Sequence, residues 1–160
     1  MNKIIIGFDP GLADTGFGVI EDTGNGRFVC RDYGSIKTPA KTELGTRLET
    51  IYTEITALLK KYSPTVIGIE QLFFSRNVST ALIVGQARGI VVLAAAQAGI
   101  PVVEFTPNQV KQAVSAYGAA GKAQVQKMVK MILNLKEIPK PDDAADALAI
   151  AICASSQRCE

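Results

Sequence analysis

The chain has 160 residues, 17 basic against 15 acidic side chains for a net charge of +2, and 48% apolar residues. That composition fits a single globular domain over residues 1–160 and excludes a disordered or fibrous chain. There is no histidine and the 3 cysteines form no CxxC pair, so no zinc site is expected, and reduced thiols of a cytoplasmic protein are.

No secretion signal is expected, because the apolar run in Met1–Gly7 is short and leads straight into Asp9. The longest uncharged stretch, Gly89 to Val103, contains Gln97 and Pro101 and falls short of the ~18 residues of a membrane span. It reads as a buried helix followed by a strand, and no membrane partner is expected.

In chain order, Lys3 to Asp9 reads as a buried strand, with Ile4, Ile5, Ile6 and Phe8 nearly contiguous. Thr15 to Glu21 and Phe28 to Ile36 read as two more strands. Asp9-Pro10-Gly11 and Asp22-Thr23-Gly24-Asn25-Gly26 are the turns between them, and such short connections imply antiparallel hairpins. Leu44, Leu48, Ile51, Tyr52, Ile55, Leu58 and Leu59 then recur at helical spacing until Ser63-Pro64 stops the run.

Thr65 to Glu70 is a short buried strand, which a crossover through this helix makes parallel to a neighbour. A second helix is expected from Thr80 to Ala98, then a strand from Pro101 to Phe105. Thr106-Pro107 caps and opens a third helix. Tyr117 to Gly121 breaks the pattern, helix resumes from Lys122 to Leu133, and a last helix runs from Asp143 to about Ser155. This order predicts an α/β fold: a five-stranded mixed sheet, three antiparallel strands and then parallel additions, flanked by helices.

Charge is unevenly placed. Residues 107–140 hold six lysines and one acid, Glu137, and the last twenty residues hold four acids and one base, Arg158. A basic segment before an acidic cluster suits a nuclease, which needs cations for phosphates and carboxylates for metals. On charge alone, the lysines read better as the solvated faces of two amphipathic helices.

Four carboxylates stand where stability does not want them. Asp9 and Glu70 each end a strand that otherwise reads as core, and burying an unpartnered carboxylate is costly. If the two strands are parallel neighbours, both acids lie at the sheet edge where open α/β sheets place ligands. They then repel each other unless a proton or a cation intervenes. Asp143 and Asp146, at i and i+3, share one face of a helix whose continuation, Ala147 to Ile152, is apolar nearly all round.

Other readings stand beside this one. Asp142 suits a helix start through capping and the helix dipole. Asp9, taken alone, reads as well as a turn residue before Pro10-Gly11. The conjunction of four acids points to a divalent-metal site. Oxygen-only ligands favour Mg²⁺, with Mn²⁺ as a substitute. Two ions about 4 Å apart suit activation of water and in-line displacement at phosphorus. Without histidine there is no imidazole base, so the metal supplies most of the activation.

These residues carry a resemblance. Ile6-Gly7-Phe8-Asp9-Pro10-Gly11 with Thr15-Gly16-Phe17-Gly18 resembles the opening of Holliday-junction resolvases of the RuvC type. So do Ile69-Glu70-Gln71-Leu72-Phe73, Gly85-Gln86-Ala87-Arg88-Gly89, Gln109-Val110-Lys111-Gln112 and Asp143-Ala144-Ala145-Asp146-Ala147-Leu148-Ala149. The first motif alone is weak, but the ordered set, spanning nearly the whole chain, is specific.

The resemblance implies an RNase H-like fold. It implies a homodimer that makes paired, symmetric cuts in four-way junction DNA, and branch-migration motor proteins as partners. It assigns Asp9, Glu70, Asp143 and Asp146 as catalytic metal ligands, Phe73 as the junction-facing aromatic, and Lys111 and Lys122 as important basic residues. Phe74 and Arg76 extend the DNA-facing segment, since exposed aromatics beside a basic residue stack on unpaired nucleotides; without the resemblance, Phe73 and Phe74 read equally as core side chains. In one respect the chain departs from many relatives: its tail, Cys153 to Glu160, has no histidine.

Three other readings are weaker. Gly7-Phe8-Asp9-Pro10-Gly11 also has the look of a sugar-kinase or actin-like phosphate loop, but this chain is too short for the two lobes that enclose ATP. A non-catalytic four-way-junction-binding protein has no need of four acids near phosphates. Another RNase H-like nuclease lacks the later motifs.

Overall fold

The computed structural model describes residues 2–72, 77–115 and 118–156. Strands β1 (Lys3–Asp9), β2 (Asp14–Gly24) and β3 (Arg27–Lys37) form an antiparallel meander. Helix α1 (Leu44–Tyr62) leads to β4 (Val66–Glu70), and α2 (Val78–Ala98) leads to β5 (Val102–Phe105). Helices α3 (Pro107–Ser115), α4 (Lys122–Ile132) and α5 (Asp142–Ser155) follow. The sheet order is β3-β2-β1-β4-β5, with β4 parallel to β1 and β5 parallel to β4. This is the five-stranded mixed sheet expected from the sequence.

Element ends follow local chemistry. The β2–β3 hairpin turns through Gly24, Asn25 and Gly26, all at positive φ, which glycine and asparagine tolerate best. Both strands run further toward this turn than the apolar alternation indicates, because hairpin pairing continues where side chains are already solvated. Helix α2 starts at Val78 instead of Thr80, because the Asn77 side chain accepts the Thr80 N–H at 3.3 Å and caps the helix there. Thr106 and Gln109 form a reciprocal capping box at the start of α3, at 3.2 and 2.8 Å.

Successive strand residues face opposite sides of a sheet, so each strand is sorted between two cores. Ile5, Val66 and Phe105 pack toward α3, α4 and α5. Ile6, Phe8, Ile67 and Ile69 pack toward α1 and α2. By the same alternation Asp9 and Glu70 face the α5 side.

Helix α5 lies directly on β1, β2 and β4, with Ala144, Ala145, Ala147 and Leu148 fully or almost fully buried. Glycines permit this approach. A Cβ on Gly7 would stand 2.1 Å from the Ala147 carbonyl oxygen, and one on Gly16 would stand 2.1 Å from that of Asp143. No side chain fits at either position.

By length and composition α2 is long and apolar enough to cross a membrane, although the uncharged stretch read from the sequence is shorter. The difference is Arg88, a charge inside the helix. Here α2 packs against α1, and Arg88 pairs with Glu104 of β5 at 2.5 Å. Cys30 and Cys153 are free thiols, each pushed up to about 11, chiefly by burial, so neither is primed as a nucleophile. Cys159 lies outside the described residues.

Candidate active site

Parallel pairing of β1 and β4 holds Phe8 opposite Ile69, so the next residues, Asp9 and Glu70, end the two strands side by side. The 3-residue spacing of Asp143 and Asp146 turns both toward the sheet from the first turns of α5. Ligand oxygens of Asp9, Asp143 and Asp146 all lie within 4.8 Å of one another. Glu70 stands outside that tight group, but it lines a cavity of about 270 Å³ together with Asp9 and Asp146.

Crowded carboxylates resist ionisation, both because burial disfavours charge and because like charges repel. The Asp9 carboxyl is pushed up to about 8, first by burial, then by the charges of Asp146, Asp143 and Glu70 and by a hydrogen bond with Asp143. Glu70 is raised by burial and then by Asp146, against a lowering influence from Lys111. Burial also leads the rise at Asp146, opposed by Lys122 and reinforced by Asp143 and Asp142. A divalent cation held among these oxygens would remove the conflict. The donor set is oxygen only, which fits a hard ion.

Cations border the same cavity. Lys111 on α3 and Lys122 at the start of α4 both line it. The Lys122 ammonium lies 3.3 Å from Asp142 and 3.8 Å from Asp146. It is held above the ordinary lysine range by the charge of Asp146 first and by its hydrogen bond to Asp142. Asp142 is exposed and lowered by Lys122, so it behaves as the helix-start acid expected and not as a fifth member of the cluster. A second cavity, about 260 Å³, opens on the other side of Asp9 and Glu70, toward α2. A larger one of about 430 Å³, beside Tyr52 and Gln97, is lined by no acid.

The comparisons with known proteins agree with this geometry. The family model described as "Crossover junction endodeoxyribonuclease RuvC" matches residues 5–154.

The chain belongs to the RuvC family.

The RuvC of Heliobacterium modesticaldum is 57% identical over 150 residues, covering 94% of this chain and 92% of the relative. That of Halothermothrix orenii is 55% identical, covering 94% and 90%. Among solved structures, Thermus thermophilus RuvC in complex with a Holliday junction substrate superposes with a TM-score of 0.92 at 37% identity, covering 96% of this chain and 93% of that one. The yeast mitochondrial Holliday junction resolvase Ydc2 shares the fold, with a TM-score of 0.64 at 14% identity over 93% of this chain and 77% of that one. The fold is therefore RNase H-like, as the resemblance implied.

Of the residues singled out in the sequence, the RuvC-family fold gathers Asp9, Asp143 and Asp146 tightly, with Glu70, Lys111 and Lys122 around the same cavity. Phe73, Phe74 and Arg76 lie outside the described residues. Sequence reasoning did not single out Gly7 and Gly16, whose missing side chains let α5 reach the sheet. The signal was present: both glycines fall inside runs that otherwise read as strand, where glycine marks a close backbone approach. Arg88 was noted only within a motif and given no role, yet it lines the second cavity.

Proposed function

We propose that this chain is a structure-selective DNA endonuclease that resolves Holliday junctions by paired, symmetric, metal-dependent hydrolysis of phosphodiester bonds in recombination and repair. The observation that carries the reading is the convergence of Asp9, Asp143 and Asp146 within 4.8 Å in a chain of the RuvC family. A protein that only bound junctions would gain nothing from buried, mutually repelling acids beside a phosphate backbone.

Asp9, Glu70, Asp143 and Asp146 are the proposed holders of two divalent ions, Mg²⁺ or Mn²⁺. Bound there, the ions supply water activation and charge stabilisation for in-line attack at phosphorus. The chain's own residues do the rest. Strand ends β1 and β4 and the start of α5 fix the four carboxylates on rigid elements. Lys111 and Lys122 stand where a phosphate entering the cavity is met by positive charge. With no histidine in the sequence, proton transfer to an imidazole has no part. Phe73, Phe74 and Arg76 are assigned to the DNA-facing segment after Glu70 on the resemblance.

The working unit is proposed to be a homodimer. Leu82, Ile83 and Leu93 of α2 are 62%, 45% and 47% exposed, an apolar surface suited to a second copy. Two sites related by a twofold axis explain paired cuts. Residues 1–160 act as one domain, in the cytoplasm, with branch-migration motor proteins as partners. A dimeric mass in solution at micromolar concentration is expected, and a monomer would sink that part.

The test is cleavage of a labelled four-way junction with and without Mg²⁺, beside Asp9→Asn. Paired nicks that need both the ion and Asp9 are the expected result. Junction binding without any cut, in Mg²⁺ or Mn²⁺ and across several junction sequences, would overturn the enzymatic reading.

A further inference from the structure

The carboxylates are approached by cations from two sides. Lys111 and Lys122 border the cavity beneath α3 and α4. The cavity on the α2 side shares Asp9, Glu70 and Pro107 with it and carries Gln71, Val84 and Arg88 instead.

Strand alternation explains how Arg88 comes to be there. Val102 packs toward α1 and α2, and Val103 and Phe105 pack toward α5, so Glu104 points to the α2 side. It meets Arg88 at 2.5 Å through one terminal nitrogen. The pair is lopsided: the Arg88 side chain is 22% exposed and that of Glu104 is 45% exposed. The Arg88 Nε is buried and has no hydrogen-bond partner among the described residues.

A guanidinium carries five donors in a planar fork, suited to bidentate contact with phosphate oxygens. A buried donor without an acceptor costs stability, so a residue whose only task was to fasten α2 to β5 would be better served by a fully satisfied pair. Glu104 engages Arg88 through one terminal nitrogen, and Arg88 lines a cavity with Asp9 and Glu70, so the guanidinium has donor capacity left for an anion entering there.

We propose that Arg88 is a DNA-binding residue: its guanidinium takes a backbone phosphate on the α2 side of the carboxylates, opposite Lys111 and Lys122, so that the strand is gripped on both sides of the bond to be cut. This rests on the nuclease reading given above. Glu104 keeps the guanidinium at the cavity wall in the free protein.

The experiment measures affinity for a labelled four-way junction across a series of monovalent salt concentrations, without divalent metal so that nothing is cut. It compares wild type, Arg88→Gln, Arg88→Lys and Glu104→Gln, with melting temperatures alongside. Each lost phosphate contact lowers the slope of log affinity against log salt by about 1. Arg88→Gln is expected to lose that much slope and roughly tenfold in affinity, with Arg88→Lys keeping the slope but not the full affinity. Glu104→Gln removes the same ion pair and keeps the guanidinium, so it is expected to retain the wild-type slope.

An unchanged slope in Arg88→Gln, with a fall in melting temperature matching that of Glu104→Gln, would make the pair a structural fastening and overturn the proposal. If Arg88→Gln does not fold, Arg88→Lys and Glu104→Gln decide: loss of slope in both would show that the pair, and not the cation, matters. Wild type that cuts the junction with metal while the Arg88 slope is unchanged removes only this inference. Wild type that binds DNA but never cuts removes the nuclease reading and leaves the slope measurement valid. Wild type that binds no DNA overturns both.

Discussion

The two faces of the sheet are built on opposite plans. Toward α1 and α2, β1 and β4 present Ile6, Phe8, Ile67 and Ile69, and these interlock with Ile51, Ile55 and Leu59. Large branched side chains keep the helices at ordinary distance. Toward α5, glycines face alanines and backbone meets backbone, with no room for a methyl group at Gly7 or Gly16. The first face contributes stability through buried apolar volume. The second gives up volume to bring the helix that carries Asp143 and Asp146 against the strand that carries Asp9. What separates scaffold from site is therefore the thickness of the layer between helix and sheet.

Four perturbations sharpen this contrast, from the largest effect down. Asp9→Asn should cut metal-dependent junction cleavage by about 10³-fold, the scale of losing one preorganised electrostatic group. The same variant should melt at an equal or higher temperature without metal, because a neutral amide needs neither the proton uptake nor the charge that burial and the neighbouring acids make costly at Asp9. A large loss of stability in Asp9→Asn would contradict the assignment of strain to this face.

Gly7→Ala should destabilise the fold by about 3 kcal/mol, at the upper end for overpacking, since its Cβ meets Ala147 backbone and not a movable side chain. Cleavage should fall with it, as α5 is pushed from the strands. Calorimetry and the junction assay on the same sample test both parts. Full activity in a normally stable Gly7→Ala protein would refute the close-contact account.

A third test uses pH on metal-free protein. Asp9 keeps its proton in the folded state up to about 8 but loses it near the ordinary aspartate value of about 3.9 when unfolded. The folded protein thus binds more protons between those values. Its contribution to stability is complete below the lower value and is lost as pH rises through the upper one. Melting temperature should decline across this window. Added Mg²⁺ should recover more at pH 8 than at pH 5. A flat profile would remove the electrostatic strain.

The mildest perturbation is on the scaffold face. Ile55→Val, at a fully buried position of α1, should cost about 1 kcal/mol and leave the rate of junction cleavage as it was. A selective loss of cleavage there would mean that the two faces are less independent than their packing indicates.

Much of this architecture is readable from the chain itself. Apolar alternation and helical spacing locate the strands and helices, and the 3-residue interval between Asp143 and Asp146 puts them on one face before any fold is known. What cannot be read is depth. Whether Asp9 is a turn residue or a member of a cluster depends on how near α5 comes, and that depends on Gly7 in the same strand and Gly16 in the next. The Arg88–Glu104 pair is similarly hidden, because its members become neighbours only once β5 is laid beside β4. Small shifts, such as α2 opening at Val78, come from side-chain caps that compete with apolar periodicity at helix ends.

The position of α5 in the chain has a consequence for how the molecule is made. It is the last of the described elements, and two of the four proposed ligands ride on it. While the earlier strands and helices are leaving the ribosome, Asp9 and Glu70 have no third oxygen donor from α5 beside them. A growing chain is thus unable to assemble the cluster until α5 has been made, and any cutting ability waits on that helix.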